Sequence, residues 1–315
     1  MTAPGAMSVL RLRLRLRLRL RGAAAAPAFI AAASLLLAAC GSAAPVAVTA
    51  SDTVEKSIQM GTASMVQVEM FNGPITIRPG PEGTVSATVT RTGVGPDEAA
   101  ALADANLIEV TLAVDGRSVV LRARYGPDPA SPDRRAAAAV VTVPAHSAVV
   151  LRTSNDSISS AGLTGTIAAN TSNGDISITD GTDALEARTS NGTIVIRNGA
   201  GLMRLETSNG PIDVEAFGAA VEARGSNGPI AFVGSLGRGI TRLSTSNGDV
   251  TVTLPTDASF GIDATTSGGS VAMEFPFVPT TPATETRLVG RVGSVPGTSL
   301  IIADSNGDIR IQQAR

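Results

Sequence analysis

This 315-residue chain has carboxylates at a recurring position, and these are its strongest candidates for chemistry. Asp175, Asp249 and Asp308 each stand two residues after an asparagine. Two carboxylates at a set separation can hydrolyse a glycosidic bond, and oxygen-rich corners can bind Ca²⁺. The intervening copies hold other residues at this position, namely Thr193, Pro211 and Pro229. The repeat also differs from the nonapeptide of calcium-binding rolls. We therefore predict corner residues beside a column of stacked asparagines, with no catalytic residue, metal or cofactor.

Histidine and cysteine occur once each. These counts exclude most zinc sites and any internal disulfide framework. His146 has no serine elbow of the Gly-x-Ser-x-Gly type to serve, and we interpret it as a loop residue. Cys40 directly follows an apolar stretch at residues 23–39, which is itself preceded by six arginines alternating with leucine. A basic segment followed by a short apolar one is typical of a secretory signal.

The residues around Cys40, Leu-Ala-Ala-Cys-Gly-Ser at 37–42, resemble the bacterial lipoprotein signal. That resemblance implies that the cysteine receives lipid and becomes the new N-terminus. Each buried CH₂ of an acyl chain contributes about 0.8 kcal/mol, so several chains would hold the protein at a membrane. We expect a signal peptide at 1–39 and a lipid-anchored protein on the extracytoplasmic side of the cell membrane. A plain secretory peptide with an accidental cysteine is the alternative.

The charge of the chain is unevenly distributed. Residues 1–39 hold six arginines and no acid, which leaves 19 basic and 27 acidic residues from residue 40 onward. Because phosphate contacts dominate affinity for nucleic acids, so acidic a chain is a poor partner for them. We expect no nucleic-acid ligand.

A repeat occupies the C-terminal half. The motif Thr-Ser-Asn-Gly, or a near variant, recurs at intervals of 18 residues and then 20. Its asparagines are Asn155, Asn173, Asn191, Asn209, Asn227, Asn247 and Asn306. Thr-Ser-Gly-Gly at 266–269 continues the series before Asn306 closes it, and Asn72 marks a degenerate early copy. Asn and Gly tolerate the positive φ that a tight corner requires.

Each copy alternates apolar and polar residues on both sides of its asparagine. Three residues after the asparagine position stand Ile158, Ile176, Ile194, Ile212, Ile230, Val250, Val271 and Ile309. Alternation at period 2 indicates strands with one buried face, and an 18-residue unit can bury that face only by stacking. We predict an all-β fold, a parallel β-helix or β-roll, with an antiparallel sandwich of hairpins as the rival.

Charged residues at two outward positions of the repeat support parallel stacking. Five residues before the asparagine the series is Glu186, Arg204, Glu222 and Arg242, and three residues before it is Arg188, Glu206 and Arg224. In an in-register parallel stack both series become columns of alternating sign, which brings opposite charges into contact. An antiparallel arrangement gives no reason for this pattern.

The sequence divides into four regions. After the signal peptide, residues 40–55 are rich in Ala, Ser, Thr and Val, and we interpret them as a flexible tether. Residues 56–145 are β-rich but irregular, with a short helix expected at 97–105, and would cap one end of the stack. Residues 146–315 form the β-solenoid.

The Thr-Ser-Asn-Gly-Asp-Ile units, the Val-Pro pair at 143–144 and the lipoprotein leader together resemble the bacterial putative adhesin domain, a family of β-helical envelope proteins whose function is unknown. The resemblance covers roughly residues 60–315 and implies no catalytic residues. We predict a non-enzymatic envelope protein whose solenoid surface serves adhesion or scaffolding with a protein or glycan partner. An envelope sensing module that partners a membrane signalling system is the alternative, and a glycan-active enzyme is a further one.

Overall fold

The computed structural model describes residues 47–126, 134–181, 183–293 and 297–315. Within these ranges the elements are β-strands, apart from the helix α1 (Glu98–Ala105). The predicted signal peptide, Cys40 and the first part of the predicted tether lie outside the described residues. In the described part of the chain, no helix is long and apolar enough to cross a membrane.

The strands fall into three groups along the chain. The N-terminal strands are β1 (Val48–Gln59), β2 (Met65–Met70), β3 (Ile75–Pro79), β4 (Thr84–Gly95), β5 (Ile108–Asp115), β6 (Ser118–Tyr125) and β7 (Ala136–Val143). The repeat contributes β8 (Ala148–Arg152), β9 (Ile158–Ala161), β10 (Ile167–Asn170), β11 (Ile176–Thr179), β12 (Leu185–Asn191), β13 (Ile194–Gly199), β14 (Leu202–Asn209), β15 (Ile212–Asn227), β16 (Ile230–Leu236), β17 (Gly239–Ser244) and β18 (Val250–Leu254). The C-terminal strands are β19 (Phe260–Thr265), β20 (Val271–Met273), β21 (Val278–Pro279), β22 (Arg287–Val292), β23 (Thr298–Ala303) and β24 (Ile309–Gln313).

Each copy of the repeat forms one rung with two strands. The strands that precede the asparagine corner pair with one another in what we call the leading sheet, and those that follow it pair in the trailing sheet. In the trailing sheet Ile176 lies beside Ile158 on one side and Ile194 on the other, with all three strands parallel. Residues 18 apart are therefore vertical neighbours, which confirms the predicted parallel β-helix and excludes the antiparallel sandwich.

The apolar positions of both sheets point into a continuous core. Ile158, Ile176, Ile194 and Ile212 are each 0 % exposed, and the polar residues between them face outward. Full burial of such a side chain contributes about 1.5–3 kcal/mol relative to leaving it in water. Because one rung presents its apolar side chains only to its own opposite strand and to its neighbours, this core exists only in the stack.

The N-terminal region contains rungs as well as a cap, so the predicted start of the solenoid at residue 146 is wrong. Strand β2 lies parallel between β6 and β8, and β3 lies parallel between β7 and β9. The chain around Asn72 thus forms a rung inserted between a rung made of β6 and β7 and the first regular one. Its Ile75 takes the position beside Ile158, which is why the degenerate copy fits the stack.

Antiparallel strands complete the N-terminal end. Strand β5 pairs with β6 through the turn at Gly116, while β4 pairs with β7. The expected helix forms as α1, with the Asp97 side chain accepting a hydrogen bond from the Ala100 amide at 2.8 Å. This helix packs on β4 and β1.

The predicted flexible tether is wrong for residues 48–55, because these residues belong to β1. All twelve residues of β1 pair with β4 in an antiparallel ladder. Alternate side chains such as Val54 and Ile58 are half-buried, while Ser51 and Ser57 on the other face contact Thr92 and Ser86. The many small polar residues hide this alternation in the sequence.

The C-terminal rungs do not stack in chain order. Strands β23 and β24 lie between the rung of β17 and β18 and the rung of β19 and β20. Stacking in chain order would place Val271 beside Val250, but in the structure Val271 lies beside Ile309. The other side of β19 pairs with the antiparallel strand β22, which belongs to the segment between the Thr-Ser-Gly-Gly copy and Asn306.

Candidate interaction surface

The two predicted charge series form columns on the outer face of the leading sheet. Glu186, Arg204, Glu222 and Arg242 are successive neighbours in β12, β14, β15 and β17. Arg188, Glu206 and Arg224 are successive neighbours in the same strands up to β15. Each arginine within the columns is thus next to a glutamate of the adjacent rung.

Ion pairs connect these side chains along and across the columns. Between rungs, Arg188 Nε lies 3.5 Å from Glu206 Oε2, and Arg204 Nη2 lies 3.6 Å from Glu222 Oε2. Within a rung, Arg188 Nη2 lies 2.7 Å from Glu186 Oε1. The side chains are between 28% and 53% exposed, and such pairs contribute only about 0–1 kcal/mol each. Their main effect is to fix a regular pattern of charge on a flat surface.

One column extends further than the repeat suggested. The inserted N-terminal rung places Glu69 between Arg122 and Arg152. Glu69 Oε2 lies 2.7 Å from Arg122 Nε, and its Oε1 lies 3.7 Å from Arg152 Nη1. A signal for this was present, because Glu69 precedes Asn72 by three residues, the same offset that separates Arg188 from Asn191.

The asparagines form a ladder along one edge of the stack. From Asn173 onward, the Nδ2 of each asparagine donates to the Oδ1 of the asparagine one rung nearer the N-terminal end, at 2.8 to 3.0 Å. The ladder runs through Asn155, Asn173, Asn191, Asn209, Asn227, Asn247 and Asn306. Asn72 stands outside it, because its Nδ2 donates instead to the carbonyl oxygen of Arg135 at 2.7 Å.

Buried threonines stabilise the same corners. In five copies a threonine stands two residues before the asparagine, and its hydroxyl donates to a carbonyl of the preceding rung; the threonines are Thr153, Thr171, Thr189, Thr207 and Thr245. Gly225 and Asp304 hold this position in the copies of Asn227 and Asn306. Thr189 Oγ1 lies 3.0 Å from the oxygen of Gly174, and Thr207 Oγ1 lies 3.1 Å from that of Gly192. These bonds satisfy carbonyls that the turn leaves without a strand partner.

The recurring aspartates accept hydrogen bonds from the next rung. Asp175 Oδ1 accepts from the Thr193 amide at 2.7 Å, and Asp249 Oδ1 accepts from the Asp308 amide at 3.0 Å. Hydrogen bonding to Arg310, and then to the Asp308 amide, holds the pKa of Asp249 below its usual range. Hydrogen bonds from the backbone and hydroxyl of Ser270 lower the pKa of Asp308. The lowered pKa values keep Asp249 and Asp308 ionised at neutral pH, whereas a general acid must be protonated.

A second polar cluster fastens the helix to the N-terminal rungs. Asp104 Oδ2 lies 2.7 Å from Arg135 Nε, and its Oδ1 accepts from the Tyr125 hydroxyl at 2.8 Å. The Arg135 guanidinium lies 4.6 Å from the centre of the Tyr125 ring. Hydrogen bonding to Arg135, followed by the Val94 amide and Tyr125, lowers the pKa of Asp104. The cluster joins α1, the end of β6 and the residue that directly precedes β7, and it is a structural feature.

The remaining candidates for chemistry are dispersed. His146 is exposed, and its Nδ1 lies 3.5 Å from Glu82 Oε2 on the surface. Among the residues that the structure describes, no three His, Cys, Asp or Glu side chains are grouped so as to hold a metal ion. The ordered polar features of the described surface are therefore the paired charges of the leading sheet and the asparagine ladder.

Comparison with known proteins adds a family to this geometry. Residues 65–312 match the family described as Toastrack DUF4097, a span from the first residue of β2 into β24. No curated protein matches the chain. A putative cell adhesion protein from Clostridium sporogenes is similar at 11% identity, covering 84% of this chain and 100% of that one, with a TM-score of 0.28. A putative adhesin from Bacteroides fragilis is similar at 12% identity, covering 82% and 97%, with a TM-score of 0.33.

Proposed function

Because the chain belongs to the Toastrack DUF4097 family, we propose that it is a non-enzymatic cell-envelope protein that uses the leading sheet as an adhesion or scaffold surface. The observation that carries this proposal is the pair of charge columns, held in register across successive rungs. A stack of hydrogen-bonded strands holds these side chains in place before a partner arrives, which reduces the ordering cost of binding. Alternating charges favour specificity, because a partner shifted by one rung would meet like charges.

The chemistry of the aspartates supports a binding role over catalysis. A glycosidase needs one carboxyl group that is protonated at its working pH. Asp249 and Asp308 instead have lowered pKa values and accept hydrogen bonds from the backbone of neighbouring rungs. Their bonds serve the stacking of corners.

The proposal includes a lipid anchor at Cys40, which rests on the sequence around that residue. Radiolabelled palmitate supplied to cells that express the protein should label it and leave it in the membrane fraction. Cys40→Ser should lose the label and appear in the soluble extracytoplasmic fraction. Equal labelling of the two proteins would refute the anchor.

The adhesion surface can be tested with one matched pair of charge reversals. Arg204 on the leading sheet and Arg197 on the trailing sheet have similar side-chain exposure, 51% and 49%. The immobilised full-length protein should retain envelope material from the producing bacterium. Arg204→Glu should reduce retention severalfold, whereas Arg197→Glu should leave it close to that of the unchanged protein, each at a temperature where the variant is folded. Equal retention by both variants would contradict a role for the leading sheet.

A further inference from the structure

The longer charge column alternates in sign at every rung but one. From the N-terminal end its residues are Arg122, Glu69, Arg152, Asn170, Arg188, Glu206 and Arg224. At the fourth place, where alternation calls for an acid, the chain has the neutral Asn170. Two arginines therefore face each other across a rung that supplies no carboxylate.

The surface is recessed at this point. A depression of about 170 Å³ is lined by Arg152, Asn170 and Arg188, with the side chains of Ala168 and Val150 beside them. Glu186, which is paired with Arg188 at 2.7 Å, lines the same depression. The two arginines are two strand spacings apart, about 10 Å between their backbones. Their side chains are 61% and 43% exposed, so both can turn toward a ligand in the depression.

The two arginines differ in how far acidic side chains of the chain neutralise them, and Arg152 is the less neutralised one. Glu69 Oε1 lies 3.7 Å from Arg152 Nη1, but Glu69 Oε2 lies closer to Arg122 Nε, at 2.7 Å. Arg188 pairs with Glu186 at 2.7 Å and, more loosely, with Glu206 at 3.5 Å. The column itself holds four arginines and two glutamates, and Glu186 and Glu222 of the neighbouring column pair with Arg188 and Arg224. The unpaired positive charge of the column is therefore greatest at Arg152.

We propose that this depression binds a carboxylate of an acidic glycan, which takes the place of the missing acid between Arg152 and Arg188. The guanidinium fork matches a carboxylate with two parallel hydrogen bonds, and the Asn170 amide can donate to the same group or to a neighbouring hydroxyl. The inference rests on the proposed function, since it names the ligand class of the leading sheet.

The shape of the site favours a glycan over an acidic peptide. Extended peptides commonly bind by adding a strand to a free sheet edge, where backbone groups are available. At this site the strand β10 is paired on both sides, with β8 and β12, so no free backbone edge is offered. A sugar ring can instead lie over Ala168 and Val150 while its carboxylate reaches the arginines.

The test measures binding of hexagalacturonate to the full-length protein by calorimetry, with a neutral hexasaccharide and a polyglutamate peptide as comparison ligands. Asn170→Glu supplies the missing acid from the chain itself. It should raise the melting temperature, because the new carboxylate adjoins both arginines, and should weaken hexagalacturonate binding at least about tenfold. Asn170→Gln should bind within about twofold of the unchanged protein. Arg152→Gln, at an exposed position, should also weaken binding without loss of folding.

Binding of hexagalacturonate that weakens with rising salt and is lost in Asn170→Glu would support the site. Undiminished binding by Asn170→Glu, or polyglutamate binding as tight as that of the glycan, would overturn it. Failure of the unchanged protein to bind hexagalacturonate would overturn it too. The proposed function would survive that failure if Arg204→Glu still reduced retention of envelope material and Arg197→Glu did not.

Discussion

Gly192 gives the sharpest single-residue test of how the rungs stack. A Cβ atom added at Gly192 would lie 2.0 Å from the carbonyl oxygen of Gly174 in the preceding rung. The φ of Gly192 lies outside the left-handed range, so a substitution there tests close approach and not backbone conformation. Gly192→Ala therefore perturbs one thing, the separation between two stacked corners.

The size of the effect follows from the bonds that cross this corner. Ordinary contact begins near 3.4 Å, so the two corners must separate by about 1.4 Å. That movement lengthens the bonds from the Gly174 amide to the Asn191 carbonyl (3.0 Å), from Asn191 Nδ2 to Asn173 Oδ1 (2.8 Å) and from Thr189 Oγ1 to the Gly174 carbonyl (3.0 Å). At about 1 kcal/mol for each bond, Gly192→Ala should lower the free energy of unfolding by about 3 kcal/mol.

Urea denaturation followed by circular dichroism measures this change, with Gly126→Ala as the control. Apart from its chain neighbours, no described residue has an atom within 4 Å of a Cβ placed at Gly126, so that variant should stay within about 0.5 kcal/mol of the unchanged protein. Equal effects of the two substitutions would refute stacking of the corners at Gly174 and Gly192.

Three further perturbations test separate parts of the structure. Arg204→Glu creates three adjacent acids in one column and should destabilise by about 1–2 kcal/mol in thermal melts, whereas Arg134→Glu, outside the columns, should have little effect; equal shifts would count against the columns. Asn191→Ala removes two ladder bonds and Asn155→Ala one, so the first should cost about twice the second in urea titrations, and the reverse order would contradict the ladder. Because the folded-state pKa of Asp104 is lowered, its stabilisation is present above about pH 4 and is lost as the pH falls through the lower folded value. Asp104→Asn should therefore lower the free energy of unfolding by about 1.5–3 kcal/mol at pH 7 and make it depend less on pH below about pH 4. The same dependence on acid pH in the variant and the unchanged protein would argue against this role.

The regular rungs could be predicted from the sequence because the period and the side-chain pattern agree. An 18-residue repeat with isoleucine at one fixed place, as at Ile176 and Ile194, leaves few alternatives to parallel stacking. The same pattern says nothing about which rungs adjoin where the chain leaves and re-enters the stack. The places of the Asn72 and Asn306 copies in the stack depend on which strand edges pair with each other in the folded protein. The period of the sequence does not contain that information.

The candidate surface was only partly visible in advance. The two charge series follow directly from aligning the copies, since Glu186 and Arg204 hold equivalent places. The depression at Asn170 does not follow from that alignment. Asn170 interrupts an alternating column only because Glu69 belongs to the same column, and Glu69 precedes it by about a hundred residues in the chain and lies two rungs away. Strand β1 was hidden for a different reason, since a face of serine and threonine lacks hydrophobic contrast.

The order of rungs at the C-terminal end is the most direct test of the account, and a disulfide trap measures it. In a Cys40→Ser background, Arg242→Cys with Ile301→Cys places the pair on adjacent parallel strands, about 5 Å apart. Arg242→Cys with Asp263→Cys places the pair two strands apart, beyond disulfide reach. The structure predicts that mild oxidation crosslinks 242 to 301 and leaves 242 and 263 unlinked, as read by mass spectrometry of tryptic peptides. Crosslinking of 242 to 263 instead would show that the rungs follow chain order and would contradict the account.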